Sequence, residues 1–205
     1  MLRIDGVPVE GIDRSTLRRR LIALPQDAVF LPDGTPFRLN LDPLELCTIE
    51  ECRSTLEAVC LLDFIERRGG LGAGMTPNTL SHGQKQLFSL ARAVLRRRVR
   101  FREMNKGTGL NVSSAEQPEG GILLLDEFSS SVDHETDRVM QDIIMREFQN
   151  YTVIMVSHRL DIVLNICDRV IVMDHGCIVE NGNPRSLQQT AGSRFAELTQ
   201  ASGLV

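Results

Sequence analysis

Two short segments carry residues whose types and spacing could do chemistry. Ile122-Leu123-Leu124-Leu125-Asp126-Glu127 sets two carboxylates directly behind four apolar residues. Such a run is expected of a strand buried on both faces, and the C-terminal ends of strands are where open α/β sheets bind ligands. A strand followed by an acidic helix cap would show the same pattern. Leu80-Ser81-His82-Gly83-Gln84 opens a helix with the Ser-x-x-Gln spacing of a capping box. Gly83 lets a ligand approach the backbone closely. The helix N-terminus offers free N–H groups and partial positive charge, which suits a phosphate. An ordinary helix cap accounts for the same residues.

The elements that must position these groups alternate between strand-like and helix-like, the mark of an α/β domain. Leu2–Ile4 predicts a strand closed by the turn dipeptide Asp5-Gly6, and Arg20–Leu24 predicts another ended by Pro25. Residues 30–45 are proline-rich with little periodicity and read as loop. Thr48-x-x-Glu51 is a capping box, followed by apolar residues at helical spacing through Cys60. Behind Ser81, the residues Leu87, Leu90, Ala91, Val94 and Leu95 form one apolar stripe, and Arg96–Arg98 sit at the helix end. Residues 99–120 are polar and break that rhythm. Connections of this kind usually take about 2–6 residues, so the stretch reads as an insertion loop. A helix near His134–Phe148 follows, with Val139, Met140, Ile143 and Ile144 turned inward, then a buried strand Thr152–Val156 and a short helix Arg159–Ile166. A hairpin around Asp174-His175-Gly176 and two small terminal helices complete the chain.

Composition bounds the rest. The chain has 205 residues, 42% hydrophobic and 24% charged, enough for a real core. The net charge of −4 argues against nucleic acid as the main partner. Five cysteines form no Cys-x-x-Cys pair, which favours reduced thiols over a disulfide frame or a zinc site. Cys167 and Cys177 flank a strand and are expected to be buried, as are Phe64, Phe88 and Phe148. No apolar run approaches the roughly 18 residues of a membrane span. Arg18–Arg20 and Arg96–Arg102 read as solvated surface and helix-end charge.

The chemistry-bearing segments resemble a known family in their order. Leu80–Gln84 with Leu90-Ala91-Arg92-Ala93 resembles the signature motif and helix of ATP-binding cassette (ABC) domains, with His82 where the family has a small residue. Ile122–Glu127 resembles the Walker B motif downstream of it. Leu24-Pro25-Gln26-Asp27 is similar to the Q-loop, Ser129-Ser130-Ser131-Val132-Asp133 to the D-loop, and Val156-Ser157-His158-Arg159 to the switch-histidine loop. Ile4-Asp5-Gly6, Gly34-Thr35, Arg38 and Asn40-Leu41-Asp42-Pro43 resemble the second nucleotide-binding domain of subfamily C, multidrug-resistance-type exporters.

The resemblance implies a partial P-loop NTPase (RecA-like) parallel sheet, residues 1–29 and 121–205. An inserted helical subdomain at about 30–98 would carry the signature, and 99–120 would be an added loop. It implies ATP and Mg²⁺ as cofactors. Asp126 and Gln26 would serve the metal, Glu127 would polarise the attacking water, and His158 would reach the γ-phosphate, with Gln26 and His158 catalytic beside Glu127. Ser81, Gly83, Gln84 and Asp133 would face nucleotide. It implies a second nucleotide-binding domain and membrane domains as partners, at the cytoplasmic side of a membrane.

One family feature is absent. A P-loop needs Gly-x-x-x-x-Gly-Lys-Ser/Thr, and the only two lysines, Lys85 and Lys106, follow Gln84 and Asn105. In the family that motif would precede Met1, so the chain reads as cut before the Q-loop, without Walker A and inactive alone. Two other readings remain open: an SMC-type chromosome-maintenance ATPase lobe, although no coiled-coil heptads appear, and a non-catalytic ABC-like interaction protein.

Overall fold

The computed structural model describes residues 2–76, 78–108, 120–128 and 132–204. It divides into two compact units, Met1–Met155 and Val156–Val205. The serines of the D-loop-like segment, Ser129–Ser131, and residues 109–119 of the insertion lie outside the described residues.

The first unit opens on a hairpin, β1 (Arg3–Ile4) and β2 (Val7–Pro8), turned by Asp5 and Gly6 at φ of 50° and 80°. Paired positive φ values make the tight turn that matches strand twist. Helix α1 (Arg14–Arg20), capped by Asp13, runs directly into β3 (Leu21–Leu24). Among the described residues, four helices then precede the next strand: α2 (Phe37–Leu41), α3 (Ile49–Ala58), α4 (Leu62–Glu66) and α5 (His82–Thr108). The strand β4 (Ile122–Asp126), the helix α6 (His134–Glu147) and the strand β5 (Thr152–Val156), whose last residue begins the second unit, follow.

The sheet order is β3-β4-β5. β3 and β4 are parallel, with Leu21 opposite Ile122 and Leu24 opposite Leu125. Parallel neighbours need a crossover, and here all four helices α2–α5 lie within it. The core forms where Ile22, Leu24, Leu123 and Leu125 meet the predicted stripe of α5 and the inner faces of α3 and α6. Phe88 and Phe148 are buried as expected, whereas Phe64 is half-exposed beneath the Arg68 guanidinium, 3.8 Å from the ring centre.

Several expectations are corrected. Residues 30–45 are not all loop: Phe37 and Leu41 are buried one helical turn apart in α2, and buried Asn40 accepts from Leu31 N at 2.8 Å. Residues 99–108, expected to begin the insertion loop, continue α5. The arginines of α5 explain that continuation, because they bind neighbouring elements instead of standing in solvent. Arg97 meets Glu147 at 2.7 Å, Arg98 meets Thr55 Oγ1 at 2.9 Å, and Arg102 meets Glu51 at 2.7 Å. Arg100, itself buried, donates to Tyr151 Oη at 3.0 Å and to Gly120 O at 2.9 Å. The strand β5 lies where predicted but is exposed, with Ile154 at 51%, because β5 is the edge of the sheet among the described strands.

The second unit holds α7 (Leu160–Ile166), a hairpin of β6 (Val170–Asp174) and β7 (Cys177–Gly182), then α8 (Pro184–Gln188) and α9 (Arg194–Ala201). His175 and Gly176 turn the hairpin at φ of 46° and 77°. Glu180 of β7 accepts from Phe195 N, Arg194 N and the Ser193 hydroxyl, so one carboxylate anchors the start of α9. The donor from Phe195 holds its pKa below the ordinary carboxylate value, with Arg194 N and Ser193 assisting. Cys177 is exposed and Cys167 half-buried, contrary to expectation: Cys177 opens β7 directly after the turn, opposite Asp174 in a two-stranded hairpin that no third strand covers among the described residues. The buried thiols are Cys47 and Cys52; burial, with Asp42 nearby, pushes Cys47 up to about 12.

Leu123→Ala removes a fully buried side chain from the sheet centre. It is expected to cost about 2–5 kcal/mol in urea unfolding, whereas Ile154→Thr on the exposed edge strand is expected to stay within about 0.5 kcal/mol.

Candidate functional site

The register of β3 on β4 decides which predicted groups share a place. Leu24 pairs with Leu125, so both chains leave the sheet at the same C-terminal edge. Gln26 follows Leu24 after Pro25, and Asp126 ends β4. Both are exposed at that edge. Glu127, next in the chain, is half-buried and sits at φ 44°, a left-handed conformation that a non-glycine residue adopts at a cost. The turn it makes carries Phe128 back into the core, where it is 1% exposed.

The segment Ser81–Gln84 forms the predicted capping box. Gln84 N donates to Ser81 Oγ at 3.3 Å and Ser81 N donates to Gln84 Oε1 at 2.9 Å. Gly83 answers to a packing constraint. A Cβ at this position would lie 2.9 Å from Val132 Cγ1 and 3.3 Å from Thr136 Cγ2. The start of α5 therefore abuts the start of α6. There Asp133 acts as the N-cap, accepting from Thr136 N at 2.9 Å and from Glu135 N at 3.1 Å. Those donors, led by Thr136 N–H, hold the Asp133 carboxyl below its ordinary value of 3.8.

Ser81, Gly83, Gln84 and Asp133 are thus gathered at two abutting helix starts, and Gln26, Asp126 and Glu127 at one sheet edge. His158 belongs to the second unit. It lies in a turn in which Ser157 Oγ accepts from Arg159 N at 3.0 Å and Arg159 pairs with Asp161 at 3.0 Å.

Sequence reasoning missed Gln86 and Arg92. Gln86 is 1% exposed and its Nε2 donates to the carbonyl oxygen of Gln26. Arg92 donates to the carbonyl oxygens of Val29 and Asn40, with its guanidinium over Phe30, 4.9 Å from the ring centre. Burial lowers the Arg92 pKa to about 10, so it stays charged near neutrality. The available signal was a polar residue, Gln86, directly beside the apolar stripe of a buried helix.

For a divalent cation, Asp126 offers carboxylate oxygens and Gln26 an amide oxygen at one edge. That donor set suits Mg²⁺, which keeps several waters and takes one or two carboxylates plus substrate phosphates. No group of three or more His, Cys, Asp or Glu suited to a metal occurs among the described residues. A phosphate cradle with its lysine has no counterpart in this chain. Among the described residues, no helix is long and apolar enough to cross a membrane.

No family model matches the chain. Its homologues are ABC transporters. The ABC-type transporter braE of Annulohypoxylon truncatum is 55% identical over 202 residues, 98% of this chain and 13% of that protein. ABC transporter FGM5 of Gibberella zeae is 52% identical over 195 residues, 95% of this chain and 12% of its own length. ABC transporter FUM19 of Gibberella moniliformis is 43% identical over 216 residues, 98% and 14% respectively. The chain therefore spans only about an eighth of the relatives it matches. Among solved structures, a bacterial Atm1-family ABC exporter with ATP bound shares the fold, with a TM-score of 0.77 at 23% identity, over 98% of this chain and 32% of the other.

Two predictions follow from the abutting helix starts. Alanine normally favours a helix over glycine by about 1 kcal/mol. Gly83→Ala is nonetheless expected to destabilise by about 1–3 kcal/mol through overpacking, and Val132→Ala added to it should restore stability in urea unfolding. Asp133 has a depressed folded pKa, so its contribution is present above 3.8 and lost as pH falls through the folded value. The stability gap between wild type and Asp133→Ala is expected to be widest near neutrality and to close in acid, measured by thermal melts across pH.

Proposed function

The homologues of this chain are ABC transporters, and from that premise we propose that it is part of the nucleotide-binding domain of an ATP-driven exporter. The closer assignment is to the second such domain of a subfamily C, multidrug-resistance-type protein, acting on the cytoplasmic side of a membrane. The observation that carries the reading is the Leu24–Leu125 register, which puts Gln26 and Asp126 on one sheet edge. The P-loop NTPase core with an inserted helical subdomain is the matching architecture. The exposed edge strand β5, with Val153, Ile154 and Val156 uncovered, suits a sheet that continues into further strands of such a domain.

Within this reading each residue has a task. Asp126 and Gln26 offer oxygen to Mg²⁺, which when bound neutralises phosphate charge. Glu127, held half-buried beside that edge, accepts a proton from the attacking water. His158 donates to the terminal phosphate. Ser81, Gly83, Gln84 and Asp133 serve nucleotide held by a partner nucleotide-binding domain. The Ser81 hydroxyl accepts from Gln84 N, which leaves its own proton for a phosphate oxygen.

The chain carries no Gly-Lys-Ser/Thr, so it lacks the lysine and amide cradle for the β- and γ-phosphates. Charge-assisted hydrogen bonds contribute about 1.5–3 kcal/mol each. Losing two costs roughly 10²–10⁴ in affinity. Within this reading the chain contributes the signature half of a site whose P-loop lies on a partner nucleotide-binding domain.

Purified chain is expected to show no Mg²⁺-dependent ATP hydrolysis, and to associate in ATP with an intact nucleotide-binding domain that supplies a P-loop. Ser81→Ala should weaken that association by about tenfold or more, the worth of one hydrogen bond to a charged group. Hydrolysis by the chain alone that disappears in Glu127→Gln, or no ATP-dependent association, would overturn the reading.

A further inference from the structure

The loop that carries Gln26 is held from beneath by one helix. Gln86 donates to Gln26 O, and six residues along α5 Arg92 donates to Val29 O. Phe30 packs on Phe88 of the same helix, with ring centres 5.7 Å apart. Between them these contacts fix the main chain from Gln26 to Phe30. They do not fix it equally. Arg92 is multiply bonded, reaching Asn40 O as well and lying over two rings. Among the described residues, Gln86 makes a single bond to the loop, and its buried Oε1 has no hydrogen-bond partner.

A buried amide with an idle acceptor is costly to keep, and an apolar residue of similar size would fit a helix stripe better. Only Lys85 separates Gln86 from Gln84, the last residue of the capping box. The same rigid turn of helix therefore presents Ser81–Gln84 on one side and grips Gln26 on the other. We propose that Gln86 is a positioning residue. It sets the place of Gln26 at the sheet edge and ties that place to the start of α5. The functional meaning of Gln26 rests on the reading above, but the clamp itself does not.

The clamp is tested without nucleotide, by amide hydrogen exchange of the full chain. Gln86→Leu removes the bond and keeps the volume. It is expected to speed exchange at residues 26–30 by about fivefold, the worth of one neutral hydrogen bond, with residues 36–41 unchanged because Arg92 still holds Asn40. Gln86→Glu adds a readout that packing alone would not move. As a carboxylate it opposes the Gln26 carbonyl and loosens the loop. As a carboxylic acid its O–H donates to that carbonyl and restores protection. Exchange at 26–30, corrected for the intrinsic pH dependence, should then fall with acid in Gln86→Glu and stay flat in Gln86→Leu. Unchanged exchange at 26–30 in Gln86→Leu, a uniform rise across the chain, or the same pH profile in both variants would overturn the proposal. Failure of ATP-dependent association with an intact clamp would instead count against the functional reading.

Discussion

Parallel pairing of β3 with β4 is the constraint on which the rest of the first unit depends. Strands that run the same way cannot be joined by a turn. The chain must leave the sheet after Leu24 and come back at Ile122 from the opposite end, and α2–α5 lie in between. Whatever follows the two strands is then delivered to one edge in fixed register. Gln26 and Asp126 meet there because Leu24 faces Leu125, and no contact between their own side chains is needed. A slip of one residue would turn Leu123 and Leu125 out of the core, so burial of the leucines and placement of the carboxylate are one requirement.

That crossover is long, and α5 is what keeps it closed. Its apolar stripe supplies the sheet's covering layer, and its guanidinium groups reach outward to α3, α6, the loop before β3's partner strand and the chain ahead of α2. Arginine suits this work because it stays charged and its planar fork can bond two acceptors at once. Glu147 illustrates the point: its side chain is only 10% exposed and is shared among Arg97 and Arg98 of α5 and Arg146 of its own helix. A buried carboxylate would be costly alone, and here three cations offset its desolvation.

Local chemistry was readable in the sequence. The capping boxes at Thr48 and Ser81, the strands Ile122–Leu125 and Thr152–Val156, the Asp174-His175-Gly176 hairpin turn and the apolar stripe of α5 each depend on residues within a turn or two of one another, and each appears in the structure. What escaped depends on partners distant in the chain. The polar run Arg96–Arg102 looked like solvated charge because Glu51, Glu147 and Tyr151 are about fifty residues away from the arginines they bind. For the same reason residues 99–108 looked like the end of a helix. Burial of β5 was misread because a run of β-branched residues describes a strand without saying whether a neighbour lies beyond it. At the site, the sheet-edge grouping was implicit in the strand order, but the gripping of Gln26 by Gln86 was not.

Gly83 shows why a packing reason and a binding reason need not compete. The Cβ argument concerns the side of the residue that faces Val132 and Thr136, and it requires glycine whether or not a ligand ever arrives. A phosphate would meet the N–H groups at the helix start, which point along the axis and away from that contact. Ser81 behaves in the same way. Its oxygen accepts from Gln84 N to cap the helix, yet a hydroxyl that accepts one bond still has a proton to give. The cap therefore orients the donor and leaves it usable. Residues that end a helix well are, by the same geometry, residues that can present it to an anion.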